Sequence, residues 1–497
     1  MPTNQLEKII TDMQEKLGDS PDIILRRFKV AGKIDAALFF IEGLVDKQIM
    51  AENVLEPLIT ADPHDAKDID RLEKSVITTG NAKRENDIDK VAIAILAGII
   101  AIFVNGSKEA ILVDIIKWER KGISEPQTDV VVRGPREGFT ETLRINMALL
   151  RRKVHHHDLN FEVKKIGRYS NTDIAIVYIN SIVNKDVLEE VRQRLSKIDI
   201  DAVLESGYIE QLIEDHPYSI FPTIGNTEKP DVFAAKILEG RVGILVDGTP
   251  IGLTIPMLFI ESFQSPEDAY SRFYYVTKNR LVRYTAFFVS CLLPALFVAV
   301  TDYHKQFIPS KLLHTMTAGQ EDTPFSTGIS VLVMILTYEL LREAGVRLPR
   351  PIGQTVSIVG AIVMGDAAVS AGLISAPVLI VVAAAVIASF VTVPLIGADS
   401  YLRLYFILAG WTLGGFGLVV AVLIVMLYLS SMRTFGVPYL SPMAPLNFRE
   451  LGDSFIRLPL WALIRRPQVL SLNRRRMSNT IKDQNIKKGA LKKDEDP

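Results

Sequence analysis

Four stretches beyond Tyr284 contain no charged residue at all: 284–301, 351–365, 367–398 and 404–432. No other feature restricts the fold as much. A hydrocarbon core about 30 Å thick takes about 20 apolar residues as a helix, because lipid offers no partner to an unpaired backbone group. The chain therefore reads as a membrane protein, with an all-α polytopic membrane domain over residues 263–432. The preceding part differs in kind, since charge is dense from Met1 to about Gln264 and apolar runs are short. Averages over the 497 residues, 48% hydrophobic with a formal net charge of −1, conceal this division. They do exclude the basic balance of a nucleic-acid binder, so no nucleic-acid partner is expected.

The opening "MPTNQLEKIITDMQEKLGDS" is acidic and amphipathic. It lacks the basic and apolar regions of a signal peptide and any lipidation motif, which predicts a cytoplasmic N-terminal region. Cys291 is the single cysteine, so neither a disulfide framework nor a CxxC metal site can form. Strand-like and helix-like patterns alternate through this half. "AALFFIEGLV" (36–45), "AILVDIIKW" (110–118) and "DIAIVYI" (173–179) predict strands. "ETLRINMALLRRKV" (141–154) and "DVLEEVRQRLSKI" (186–198) have the three-and-four spacing of helices, the second with Asn184 or Asp186 as N-cap. Asp247-Gly248 turns a hairpin within 241–256. The polar "KGISEPQTD" (121–129) divides two α/β subdomains, 1–120 and 121–262. No internal repeat is evident.

Spans are expected at about 285–302, 352–373, 376–396 and 404–430. A fifth stretch, 325–346, either crosses or lies at the interface, and Gly414-Gly415-Phe416-Gly417 is a candidate break, so the count stays at four to six. Lys278, Arg280 and Arg283 precede the first span. The tail, 433–497, holds thirteen Lys and Arg against six acids, net +7. Both ends are therefore expected inside. The tail's composition suits a segment held near anionic membrane lipids, or a site for another protein, and disorder is expected from Arg474 onward.

Four segments carry a resemblance: "RGPREGFTETLRINMALLRRK" (133–153), "FQSPEDAYSRFYY" (263–275), "YELLREAGVRLPRPIGQTVSIVGAIVMG" (338–365) and "AAVSAGLISAPVLIVVA" (367–383). In this order they resemble the A subunit of GerA-type spore germination receptors, from about Asp22 to about Arg449. The resemblance implies a nutrient receptor in the spore inner membrane whose A subunit homo-oligomerises into a gated ion path. It also implies a transporter-like B subunit that binds the germinant, a lipoprotein C subunit, and a cytoplasmic region of two α/β subdomains.

On a helix, Val359, Val363, Asp366 and Ser370 share one face. Ser357, Ala361, Gly365, Ala368 and Gly372 form a neighbouring face of small residues suited to close helix packing. Around a symmetry axis the first face would place an acidic ring beside an apolar constriction, the elements of a cation path and its gate. The competing reading is a hydrogen-bonded structural Asp near the membrane boundary. Glu339 and Glu343, with Arg342 between them, suit either a cation vestibule or, more simply, an ion-pair set at a helix end. Ser265-Pro266-Glu267-Asp268 reads as a helix start that orients a collar joining the soluble half to the first span.

His155-His156-His157 cannot jointly ligate one metal from consecutive helical positions, and "RGPREG" (133–138) lacks the Gly-Lys-Ser/Thr of a phosphate loop. With no nucleophile–base constellation, no enzyme and no cofactor is expected. Three functions compete. They are a channel-forming receptor subunit, a monomeric secondary transporter, which the lack of two matching halves disfavours, and a non-conducting scaffold that couples a sensor to another effector.

Overall fold

A computed structural model describes residues 5–471 except 19, 65–67, 80, 117–125, 127–128, 130, 132, 312, 315, 317–322, 348–364, 448–449, 464 and 468. The first α/β unit runs α1 (Gln5–Leu17), β1 (Ile23–Val30), β2 (Ile34–Ile41), α2 (47–60), α3 (69–76), β3 (Ala82–Glu85), α4 (Ile88–Leu96), β4 (Ile100–Val104) and β5 (Ala110–Val113). Its sheet has the order β1-β2-β4-β5-β3, with every pairing antiparallel. One face packs Leu38, Phe40 and Ile102 against Met50, Val54 and Leu58 of α2. The opposite face packs Phe39, Ile41 and Phe103 against Leu6, Ile10 and Met13 of α1 and Val91 and Ile95 of α4. Helices on both faces explain why β2 is apolar at nearly every position instead of alternating.

The second unit repeats this plan. It runs α5 (Leu143–Lys153), β6 (Leu159–Ile166), β7 (Thr172–Ile179), α6 (Lys185–Ser196), α7 (Ser206–Ile213), β8 (Gly225–Thr227), α8 (Pro230–Leu238), β9 (Val242–Val246) and β10 (Gly252–Ile255). The order β6-β7-β9-β10-β8 reproduces that of the first sheet, again antiparallel throughout. The chain thus does hold an internal duplication, against the sequence expectation. "IDAALFFIEGLVDK" (34–47) lies over "TDIAIVYINSIVNK" (172–185), and "LAGIIAIFVNGS" (96–107) over "LEGRVGILVDGT" (238–249). Identity is spread over strands and turns, from Ala37 and Ala175 in the strands to Gly98 and Gly240 after the helices. Asp46 caps α2 through the N–H of Gln48 and Ile49, and Asn184 caps α6 through that of Asp186. Other strand positions mostly exchange one apolar residue for another, and that conceals the repeat.

Beyond the second unit lie α9 (Phe273–Asp302), α10 (Thr327–Arg347), a helical stretch at 365–370, α11 (Ala376–Ser389) and α12 (Ile396–Ser431). Phe287, Cys291 and Ala295 of α9 pack with Val331 and Ile335 of α10, Val378 and Val382 of α11, and Leu402, Phe406 and Ile407 of α12. Two helical segments are long and apolar enough to cross a bilayer, Phe273–Asp302 and Val393–Ser431, whose most apolar 18-residue stretches have mean hydropathy 2.0 and 2.4. Leu340, Ile380, Phe416 and Leu427 on this bundle are exposed. A gap of charged residues between spans is expected at 397–403, yet α12 begins at Ile396 and runs through Asp399 and Arg403. These two charges neutralise each other one turn apart, so the helix carries both. Gly414 interrupts α12 with φ 62° and ψ −146°, a backbone state open to glycine.

Candidate functional site

The polar chemistry of the described residues concentrates where the second α/β unit meets the C-terminal helices. Pro266–Ala269 form one short 3₁₀ turn, with Ser265 ahead of it. Asp268 is buried, and it faces α9 instead of merely opposing a helix dipole. Its carboxylate accepts from Arg280 Nε at 2.9 Å and from Arg283 Nη1 at 3.0 Å, and the Ser265 N–H lies 3.5 Å away. Arg280 is itself fully buried and reaches the polypeptide that follows α12, donating to Asp453 Oδ1 at 3.1 Å and to the Ser454 carbonyl at 3.2 Å. Gln264 Nε2 donates to the Asp453 carbonyl at 3.1 Å, and Thr277 Oγ1 accepts from Arg457 N at 3.1 Å. Collar, first long helix and post-membrane segment therefore share one charge cluster. Glu267 is half-buried beside it.

The same junction is anchored to the second unit. Tyr270 donates to Asp231 Oδ2 at 2.5 Å, and the acceptor together with burial pushes its hydroxyl pKa upward. The "RGPREG" segment makes a turn here. A side chain on Gly134 would strike the Tyr270 ring, and Lys229 Nζ donates to the Pro135 carbonyl at 2.6 Å. Burial raises the Glu261 carboxyl, but Arg241 and Lys236 beside it hold it below the usual carboxylate range. Beyond α12, Phe435 N donates to Asp215 Oδ2 at 2.6 Å and Tyr439 donates to the Pro222 carbonyl at 2.9 Å. The segment leading into α9 and the segment leaving α12 thus both bond to the second unit. Such an arrangement can transmit displacement between the α/β region and the helices, because none of its buried charges can move alone without losing its partner.

Val359, Val363 and Ala361 lie outside the described residues. Asp366 and Ser370 are exposed on the helical stretch 365–370, Ala368 is half-buried, and Gly365 is buried. A Cβ on Gly365 would sit 3.3 Å from Leu379 of α11, so this small residue packs within the chain. Gly372 follows, half-buried, with φ 65°. Glu339 pairs with Arg342 at 2.6 Å and accepts from Ser400 Oγ of α12 at 2.7 Å, whereas Glu343 is exposed and paired with Arg347. His156 and His157 stack 4.4 Å apart, and their ligand atoms lie within 4.8 Å of those of Asp158. His155 is outside that group.

Sequence reasoning missed a second buried cluster. Asp399 and Arg403 of α12 are both fully buried and paired, and Asp399 also accepts from Ser290 Oγ at 2.6 Å and Cys291 Sγ at 2.9 Å. The available signal was an acid and a base at i and i+4 inside an otherwise apolar run. Asp453 had a local signal only toward Arg457, with which it pairs at i and i+4, while its partner Arg280 is remote in the chain.

With this geometry in view, comparison with known proteins is direct. The family model for the Bacillus/Clostridium GerA spore germination protein matches residues 11–469. Spore germination protein KA of Bacillus subtilis (strain 168) is 43% identical over 94% of this chain and 87% of its own length. Spore germination protein GerLA of Bacillus cereus is 35% identical over 94% and 95%. The crystal structure of the N-terminal domain of the A subunit of the Bacillus megaterium spore germinant receptor GerK3 is 36% identical, covering 51% of this chain and 95% of that one, with a TM-score of 0.41. A match across nearly the whole length, with relatives above 30% identity, makes this chain a member of the GerA spore germination protein family.

Proposed function

We propose that the protein is the A-type subunit of a nutrient-sensing germination receptor and that copies of it assemble around a germinant-gated cation path in the spore inner membrane. The family match carries the receptor reading. For the path, the carrying observation is the helical stretch at 365–370. Its Asp366 and Ser370 are exposed while Gly365 on the other side is committed to Leu379, so the acid is left free for a neighbouring copy or for water. In a closed ring, Asp366 and Ser370 would face the axis, with Val359 and Val363 as the apolar constriction and Glu339 and Glu343 nearer the mouth. Ala361, Gly365 and Ala368 would let that helix approach its supports closely, whereas Gly372, expected on the same face, has φ 65° and ends the helical stretch.

In this reading a transporter-like B subunit binds the nutrient and a lipoprotein C subunit completes the complex. The N-terminal region and the tail are cytoplasmic, a placement supported by the second unit's bonds to both the segment before α9 and the segment after α12. Germinant binding opens the path only if the partner contacts the open arrangement more favourably. The junction at Ser265, Pro266, Glu267 and Asp268 is where such a bias would pass between the α/β region and the helices. The test is the purified complex in liposomes. Germinant-triggered monovalent cation flux that is altered in both Asp366→Asn and Val363→Ala supports the path. Stoichiometric solute uptake without flux would make the protein a transporter, and neither response would make it a scaffold.

A further inference from the structure

The two α/β units share a topology but are closed differently. In the first, β5 ends at Val113 and the chain simply continues. Ile115 is buried in that unit's core, its carbonyl accepts from Asp46 N at 3.2 Å, and Ile116 forms an antiparallel bridge with Val45. Gly98, with φ 96°, floors this slot: a Cβ there would meet Leu44 at 3.2 Å and Ile116 at 3.6 Å.

The second unit has the same slot, with Val183, Asn184 and Gly240 standing where Val45, Asp46 and Gly98 stand. The chain leaving β10 does not enter it. Pro256 follows Ile255, and Met257 N donates to the Thr223 carbonyl at 3.0 Å, which carries the polypeptide toward the collar. The slot is filled from the far end of the protein. Ser471 forms the antiparallel bridge with Val183, and Leu470, only 1% exposed, belongs to the second unit's core. Asn184 Nδ2 donates to the Val469 carbonyl at 3.5 Å, and Arg466 Nε donates to the Leu238 carbonyl at 2.6 Å. A Cβ on Gly240 would collide with the Leu470 carbonyl and lie 2.7 Å from Ser471 Cβ.

We propose that the groove formed by Val183, Asn184 and Leu238–Gly240 is a docking site for an extended peptide, occupied by this chain's own Val469–Ser471, which clips the post-membrane segment to the second α/β unit. The chemistry of the site sets what it accepts: extended backbone for the bridge, an apolar side chain where Leu470 enters the core, and a small one over the glycine floor. In the first unit the occupant is continuous with β5 and cannot leave without unravelling the sheet. In the second it comes from beyond α12 and not from the chain leaving β10, so it is separable. The clip also fixes where residues 472–497 begin, a segment with eight Lys and Arg against four acids. None of this depends on the cation path.

Two measurements on the full-length protein in detergent test the clip. Val183→Cys with Ser471→Cys, in a Cys291→Ser background, places two thiols at antiparallel bridge positions whose Cβ atoms lie about 4.5–5.5 Å apart, close to disulfide geometry. Mild oxidation should give an intramolecular cross-link between the peptides carrying these residues. Covalent dimers, or thiols left free, overturn the cis clip. Gly240→Ala and Gly98→Ala impose the same backbone strain, but only the first meets the clip. Amide exchange at Val469–Ser471 should rise about tenfold or more in Gly240→Ala and stay unchanged in Gly98→Ala. No rise, or the same rise in both, overturns the proposal.

Discussion

Two arginines, one in the α/β region and one in the helix bundle, are equally buried and very differently supplied. Arg151 of α5 reaches into the first unit. Its Nε donates to Asp22 Oδ2 at 2.9 Å, its Nη2 to Asp22 Oδ1 at 3.0 Å and to Ser20 Oγ at 3.3 Å, and its Nη1 to the His156 carbonyl at 3.1 Å. The Phe161 ring lies 5.1 Å below the guanidinium. Arg403 of α12 uses Nη2 alone, toward Asp399 and, at 3.0 Å, Ser290 Oγ. Its Nε and Nη1 meet no acceptor among the described residues. The difference follows from what surrounds each. Loops beside α5 present free carbonyls and carboxylates, while the carbonyls of neighbouring helices in the bundle are already taken by their own helical hydrogen bonds. A water-facing domain can complete a buried cation; a helix bundle can offer it only side chains.

The largest effect is therefore expected at Arg151. Arg151→Ala leaves Asp22 buried with Ser20 as its remaining side-chain partner and removes one of the links between the two units, the Arg144–Glu42 pair being another. It should cost about 3–5 kcal/mol, read from thermal unfolding of the full-length protein. A loss below about 1 kcal/mol would erase the contrast. Arg151→Lys should recover only part, because an ammonium cannot reproduce the fork.

In the bundle the two partners are unequal. Asp399 keeps Ser290 and Cys291 as donors when Arg403 is removed, so Arg403→Ala should cost about 1–2 kcal/mol. Asp399→Ala strands a guanidinium that already lacks two partners and should cost about 3 kcal/mol. Melting of both variants in detergent gives the ratio. Equal losses would mean that Arg403 draws on acceptors beyond its own chain.

A third buried charge shows why arginine is the harder case. Glu210 of α7 is largely buried beside Glu214 and Glu205, and burial first, then these two acids, pushes its carboxyl up to about 7. The folded state therefore holds a proton that the unfolded chain has released between the ordinary value of 4.5 and about 7. Stability is fullest below that window and falls as pH rises through it, by up to about 3 kcal/mol. Glu210→Gln should remove this dependence and stabilise the protein at pH 8 by about 2 kcal/mol. An unchanged pH profile would place the charge in water. A carboxyl can escape its difficulty by taking a proton; a guanidinium cannot.

These contrasts also mark what the sequence made legible. Buried strands such as β2 and β7 stood out as unbroken apolar runs, α5 and α6 by their periodicity, and the β9–β10 hairpin by Asp247-Gly248. The edge strands β1 and β6, "IILRRFKV" and "LNFEVKKI", carry charges among their apolar residues and lack the unbroken run that marked the central strands. The apolar helices of the C-terminal region declared themselves through absent charge, yet that criterion stops short at Asp399 and Arg403, because two charges that cancel inside a helix look locally like a turn. Asp268 carried a visible helix-start signal, while its real partners, Arg280 and Arg283, are fixed by the fold of the collar against α9. The clip at Ser471 is legible only once the two units are laid over each other, since no local pattern links residues 183 and 471.

The smallest effect separates two acids that the sequence treats alike. Glu343 and Arg347 are 63% and 78% exposed at the side chain, and an ion pair so open is screened and pays for its own ordering. Glu343→Ala should change stability by no more than about 0.5 kcal/mol. Glu339, half-buried, bonds across helices to Ser400, so Glu339→Ala should cost about 1–2 kcal/mol in the same melting experiment. Stability and ion flux must be read together here. Should Glu343→Ala leave the melting temperature in place and still alter cation flux through the reconstituted complex, the exposed pair acts on the path and not only on its own helix end. With both quantities unmoved, the mouth of the path narrows to Glu339 alone, the acid that the bundle itself holds in place.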